Sequence, residues 1–341
     1  MIHAKTLARK LFLHGAYWSG AAALVGPLLA GRGAILMLHR ITARQTSPLG
    51  LNSHLTITPQ FLDLLLGDLR RRGSAILSLD EFLEATSKGG TRNAVAITAD
   101  DGWLDNLTEG LSVFDAHDAP FTVYVAPALT TGAVAPWWEV VEEHVIANDR
   151  LLITSNGKTQ ELVCDDPRSK IAAARRIAHW LTHEVAEKDQ QAELGRLGAL
   201  AGNGKPQRRF LDWDDVRTLA RHRLATIGAH TVHHYNLGRV DKDTALNEMV
   251  GSADIIAQET GLRPGHFAYP YGSSQAAGQR EFELARDAGF ASAVTTRHGV
   301  LRGHACQQLH QLPRISVNGL YQRVPYVRSL MSGLTTPLAL R

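Results

Sequence analysis

Short apolar runs recur along this chain, and most are followed by a stretch with helical spacing. Strands are predicted at Ala34–Leu38, Ala75–Leu77, Ala94–Thr98, Phe121–Ala126, Leu224–Ala229, His266–Tyr269, Ser292–Thr295 and Leu312–Val317. Helices are predicted at Pro59–Arg72, Leu104–His117, Trp213–Arg221, Asp241–Thr260 and Gln279–Ala288, with Thr58-Pro59 and Gly261 as start and stop signals. The runs are continuous rather than alternating, so the strands are buried on both faces. That suits a parallel sheet with helices outside, either a barrel or a doubly wound sheet. About eight strands favour a barrel related to the (β/α)8 type, where reactive groups sit at the C-terminal strand ends.

Two segments break the rhythm. From about Gly132 to Leu211 no core strand is expected. Instead, Asn156-Gly157 marks a tight hairpin within Leu151–Val163, and Pro167–Glu184 and Lys188–Leu200 read as amphipathic helices. This reads as an insertion (132–211) after the fourth strand, over or beside the barrel mouth. At the N-terminus, the basic residues Lys5, Arg9 and Lys10 precede an apolar run, Ala16 to Ala30, interrupted by Gly20, Gly26 and Pro27. It is too short for a comfortable membrane span. With Leu29-Ala30-Gly31-Arg32 a poor cleavage site, it reads as a helix that packs on the fold or touches a membrane rather than as a cleaved signal. The expected organisation is an N-terminal helical segment (1–32), a barrel (33–330) and a tail (331–341).

Composition narrows the class. The 341 residues are 44% hydrophobic and 20% charged, with a net charge of +3 and no basic stripe interleaved with aromatics, so nucleic acid is a poor partner. Cys164 and Cys306 share no motif and read as unpaired thiols of a reducing compartment, which places the chain in the cytoplasm, with membrane association or export as the alternatives.

The chemistry lies in two islands. Thr98-Ala99-Asp100-Asp101-Gly102 closes the third apolar run, and His230-Thr231-Val232-His233-His234 closes the fifth. An adjacent carboxylate pair can be a helix N-cap, but with Gly102 permitting a tight turn and a His-x-x-x-His elsewhere, one Asp can ligate a metal while the other serves as base. His230 and His234 can reach one ion, with His233 a bystander; a pH-sensitive histidine cluster is the plain alternative. Two imidazoles and one carboxylate suit catalytic zinc, and also non-haem Fe(II), which the α/β rhythm disfavours.

These islands resemble the TFDDG and H-[ST]-x-x-H motifs of the polysaccharide deacetylases, carbohydrate esterase family 4, whose domain is shared with the nodulation chitooligosaccharide deacetylase. Phe267-Ala268-Tyr269-Pro270-Tyr271-Gly272 resembles the family's third motif, and Leu312-Pro313-Arg314-Ile315 the last strand of one branch. The resemblance spans about residues 33 to 320. It implies a distorted (β/α)7-type barrel with a mostly helical insertion after the fourth strand. Asp100 would be the general base, and Asp101, His230 and His234 the ligands of Zn²⁺ or another divalent metal such as Co²⁺. The substrate would be an N-acetylated glycan. Ala99 replaces the usual aromatic, and Ala268 stands where an arginine normally orients the base. No Leu-x-His ends the last strand. Instead Leu36-Met37-Leu38-His39 ends the first, as in a branch acting on poly-β-1,6-N-acetylglucosamine, which nominates His39 as the general acid, with His310 the alternative.

Trp103, Tyr271 and Pro270, which abut the motifs, are candidate sugar-binding residues. Trp137 and Trp138 would stack on sugar or anchor the insertion. Asp105 and Asn106 are expected to cap a helix, and Arg314 either replaces the lost arginine or forms a strand-end ion pair. The leading reading is a metal-dependent de-N-acetylase. An O-deacetylase, a non-sugar amide hydrolase and a glycan-binding protein of weak activity stand as alternatives. Oligomeric state is left open, and the N-terminal segment is the expected site of any peripheral membrane contact.

Overall fold

The computed structural model describes residues 2–20, 24, 26, 28–87, 93–155, 157–200, 208–302 and 308–336, with side chains from residue 7. All eight predicted strand runs are found: β1 (Gly33–Leu38), β2 (Ala75–Leu77), β3 (Ala94–Ala99), β4 (Phe121–Val125), β7 (Ala225–Ala229), β8 (His266–Ala268), β9 (Ser292–His298) and β10 (Leu312–Ser316). The antiparallel hairpin β5 (Arg150–Ser155) and β6 (Lys158–Val163) lies outside their sheet.

Seven strands close a parallel ring, in the order β1, β10, β9, β8, β7, β4, β3 and back to β1. The ring is therefore a (β/α)7-type barrel, as the family resemblance implies, rather than the eight-stranded one that the run count suggests. The reason is geometric. One edge of β3 pairs along its full length with β1, while its other edge is shared. The three-residue β2 takes residues 94–96 of that edge, and β4 takes residues 98 and 99. So β2 hangs on the ring without being part of it.

Helices clothe the barrel where periodicity put them. Thr58 caps Pro59–Arg71 by accepting from the Phe61 amide at 3.1 Å, and Gly261, at φ 78°, ends Lys242–Thr260. The expected helix at Leu104–His117 is divided: a π-turn, Asn106–Gly110, leads into Leu111–Ala116. The inner wall needs room for Tyr124. A Cβ on Gly228 of the neighbouring strand would lie 2.3 Å from the Tyr124 ring, so only glycine fits there.

The segment between β4 and the Trp213–Ala220 helix carries its own apolar cluster, including Val145, Ile153, Ile177, Leu181 and the buried Cys164. Cys306 and the residues around it lie outside the described part. The N-terminal helix Ile2–Trp18 seats Leu13 and Ala16 against the helix Val324–Met331. Among the described residues no helix is long and apolar enough to cross a membrane.

Candidate active site

At the C-terminal end of β3 the Asp100 amide donates to the Leu38 carbonyl at 3.0 Å, prolonging the pairing with β1 by one residue. Asp101 and Gly102 then both adopt φ of 73°. A left-handed aspartate costs about 1–3 kcal/mol. That turn sends two adjacent carboxylates to different partners. At the end of β7 the His230 amide donates to the Val125 carbonyl at 3.1 Å, and Thr231 and His234 are also left-handed, at φ 58° and 60°. Strained backbone thus collects where the two islands meet.

Asp101 faces the histidines. Its Oδ1 lies 3.3 Å from Nε2 of both His230 and His234; Asp101 and His230 are buried and His234 is half-buried. The set fits a divalent metal on its own geometry. Ligands about 2.0 Å from a tetrahedral ion stand about 3.3 Å apart. His230 Nδ1 lies 2.7 Å from the Ala268 carbonyl, a contact that puts the proton on Nδ1 and frees Nε2. The other oxygen of Asp101 accepts from Trp103 Nε1 at 2.9 Å. Burial pushes His234 below its usual pKa, against the pull of Asp101, so its ring is neutral and able to ligate.

Asp100 faces Arg314, on β10. The guanidinium donates through Nη1 and Nη2 to the two carboxylate oxygens at 2.6 Å each, through Nη1 to Thr98 Oγ1 at 3.0 Å, and through Nε to the Thr295 carbonyl at 2.9 Å. Arg314 has no solvent exposure, and Asp100 almost none. Desolvation drives the Asp100 carboxyl upward; the charge and hydrogen bonds of Arg314, with His39 and His230, outweigh it and keep the group ionised. Arg314 and Asp100 thus form an ion pair at the strand ends, which places a guanidinium beside the first carboxylate of the pair.

His39 directly follows β1, and its carbonyl accepts from Asn106 Nδ2 at 3.1 Å. It lies close enough to Asp100, Asp101 and His234 for its charge to act on all three. His310 precedes β10, at the opposite end of the strands, where its Nε2 meets the Phe290 carbonyl at 2.7 Å. His233 turns away: its Nδ1 lies 2.6 Å from Glu248 Oε1, whose other oxygen accepts the amides of Val232 and His233.

Several sequence expectations need correction. Trp103 has no exposed surface. An isolated bridge to Phe210, whose ring packs 4.4 Å away, covers it, so it supports Asp101 and cannot stack on a sugar. Pro270 is buried as well and presents no face to a ligand. Tyr271 is half-buried; its ring stands 5.5 Å from His234, and its hydroxyl accepts from Trp137 Nε1 at 2.9 Å. Trp138 lies 5.0 Å from the His234 ring, so the tryptophan pair pins the inserted segment against the centre. Asp105 caps no helix: it pairs with Arg40 Nε and accepts the Ile41 amide, both at 2.9 Å. Asn106 likewise ties down the loop after β1 rather than a helix start.

Arg40 is the residue that sequence reasoning missed. Its guanidinium lies 4.3 Å over the Trp103 ring and also faces Glu139, whose carboxyl burial pushes up to about 7. Its place beside His39 was the available signal. Outside this layer a cavity of about 370 Å³ opens at the same end of the barrel, lined by Arg40, Asp105, Glu109, Glu139 and Arg209 among others.

A family model for polysaccharide deacetylase matches residues 176–292, a span with His230, His234 and the 267–272 segment but without the Asp pair. No curated protein matches the chain in sequence at a significant level. Among solved structures, a Streptococcus pyogenes deacetylase, PplD, in complex with acetate superposes with a TM-score of 0.55 at 19% identity, over 84% of this chain and 92% of that one. A de-N-acetylase from Aggregatibacter actinomycetemcomitans gives 0.54 at 13%, over 84% and 95%. IcaB from Ammonifex degensii gives 0.53 at 15%, over 89% and 97%. At these identities the likeness establishes a shared fold.

Proposed function

We propose, on the premise that this chain is a relative of the polysaccharide deacetylases, that it removes N-acetyl groups hydrolytically from N-acetylglucosamine-containing oligo- or polysaccharide, using a divalent metal. The observation that carries the reading is the division of labour between the adjacent aspartates: Asp100 locked by Arg314, Asp101 gathered with His230 and His234. The family match and the deacetylase and de-N-acetylase among the structural relatives support the reaction class.

Asp101, His230 and His234 would hold the ion, Zn²⁺ or Co²⁺ by the character of the donors. When bound, it would supply a Lewis acid that polarises the acetyl carbonyl and acidifies water. The chain's own groups do the rest. Asp100, kept ionised by Arg314, takes a proton from the water whose oxygen attacks the acetyl carbon. The bidentate contact holds both oxygens in one plane, so the base is aimed before substrate arrives. His39, protonated, gives its proton to the nitrogen as the C–N bond breaks. Acetate and a free amine leave. Tyr271 and Trp137 flank the centre on the inserted segment's side, where a sugar ring would lie. The cavity beyond Arg40 gives room for further units of the chain.

The test is acetate release from chitooligosaccharides and from β-1,6-linked N-acetylglucosamine oligomers, with wild type and Asp100→Asn, each with and without Zn²⁺. Metal-dependent acetate that the variant loses by at least about a hundredfold is expected, and it also names the linkage. No acetate from either substrate, with zinc bound, would point to an O-acetyl ester or a non-sugar amide. A protein that binds no metal would refute the mechanism.

A further inference from the structure

We infer that the N-terminal helix is a fixed, peripheral docking surface for an anionic lipid bilayer. Of the twelve large apolar side chains exposed among the described residues, six fall between positions 7 and 28: Leu7, Leu11, Phe12, Trp18, Leu24 and Leu28. Trp18 is 69% and Leu28 85% exposed. Their arrangement within Ile2–Trp18 is ordered. At 100° per residue, Leu7, Leu11 and Trp18 project within about 40° of one another, and Ala16 projects about 160° from them. Leu13 and Ala16, on the inner side, are buried against the barrel's last helix. The helix is held there by polar contacts as well. Ser329 Oγ donates to the Leu13 carbonyl at 3.1 Å, and Arg328 Nη1 donates to the Tyr17 hydroxyl at 2.8 Å. Arg328 also pairs with the buried Asp68. So the outer stripe is a rigid part of the molecule, and the face opposite its packing face is apolar.

The charge pattern selects the occupant. The first acidic residue in the chain is Asp63, whereas Lys5, Arg9 and Lys10 lie on the helix. Arg9 and Lys10 lean over the Tyr321 ring at its flank, 5.2 and 6.0 Å from the centroid. At 100° per residue Lys10 projects about 80° from the stripe's centre and Arg9 about 180°, on the packing side. An apolar stripe flanked by one cation, with a tryptophan at its end and no carboxylate on the helix, is the pattern of a helix lying in the lipid headgroup layer. No described helix is long and apolar enough to span, so the contact is one of lying on the surface.

The experiment is flotation with phosphatidylcholine vesicles and with vesicles that also contain phosphatidylglycerol, at low and high salt. Wild type is expected to float with the anionic vesicles, less so in high salt. The triple variant Leu7→Ser, Leu11→Ser, Trp18→Ser should lose at least about tenfold in partition while keeping the wild-type circular dichroism and melting midpoint. A second variant, Lys10→Glu, should reduce the preference for anionic lipid. Failure of wild type to float overturns the inference. So does a wild-type dimer that the serine variant dissociates in light scattering, since a second copy would then cover the face.

Discussion

Replacing Arg314 with Met tests the pairing at the heart of the site. The substitution keeps most of the volume but removes the guanidinium, and with it two charge-assisted bonds of 2.6 Å to Asp100 and the bonds to Thr98 and Thr295. Neither partner has appreciable contact with water, so none enters to compensate. Stranding one half of a buried ion pair costs about 3–5 kcal/mol. The sign of the pH dependence follows from Asp100. In wild type its carboxyl lies below the ordinary value, so it adds stability above the unfolded pKa of 3.8 and loses it as pH falls through the folded value. Without Arg314, desolvation prevails and the folded pKa rises. The contribution is then present below 3.8 and is lost as pH rises. The difference between the proteins should therefore be greatest at neutral pH and shrink towards pH 4. Guanidinium unfolding followed by circular dichroism at pH 5 and 7.5 measures it. The double variant Asp100→Asn, Arg314→Met should be more stable than Arg314→Met alone, because no charge is left buried. Hydrolysis by Arg314→Met should have its acidic limb moved to higher pH. A neutral-pH loss under about 1 kcal/mol, with an unmoved acidic limb, would refute this account of the pair.

Further expectations concern the neighbours. Trp103→Phe removes the indole bond to Asp101 and should weaken zinc binding by about 10–100-fold, read by competition with a chromogenic chelator. Gly228→Ala places a methyl against the Tyr124 ring and should cost about 1–3 kcal/mol in a denaturant titration. Glu139, raised from 4.5 to about 7 by burial, contributes stability below 4.5 that is lost as pH rises through 7. Glu139→Gln should flatten that part of the stability–pH curve, read as denaturant midpoints at pH 5 and 8.

Much of the fold was legible because a parallel barrel strand is apolar along its whole length, whatever it packs against. Ala94–Ala99 and Phe121–Val125 are buried at every position. What a run of residues does not show is which edge of a neighbour it will occupy, and Ala75–Leu77 therefore counted as a ring strand. The Asp101–His230–His234 cluster was legible because Asp-Asp-Gly and His-x-x-x-His each carry their geometry within a few residues. The partner of Asp100 was legible only as one of two readings of Arg314, because Arg314 reaches Asp100 only after the chain has closed across 214 positions. Trp103 misled for a related reason. Sequence adjacency to a motif suggests a place in the cleft, but the chain returning at Phe210 lays a roof over it.

The origin of Arg314 has a consequence for how the molecule becomes active during synthesis. The strand that carries it is the last of the ring to emerge, and it pairs with the first, β1. A nascent chain that has made both islands holds Asp101, His230 and His234 yet lacks the cation that pairs with Asp100. An open barrel thus leaves the Asp100 carboxylate without its partner. On the proposed mechanism, hydrolytic competence would arrive only with closure, so turnover would report that the first and last strands have met.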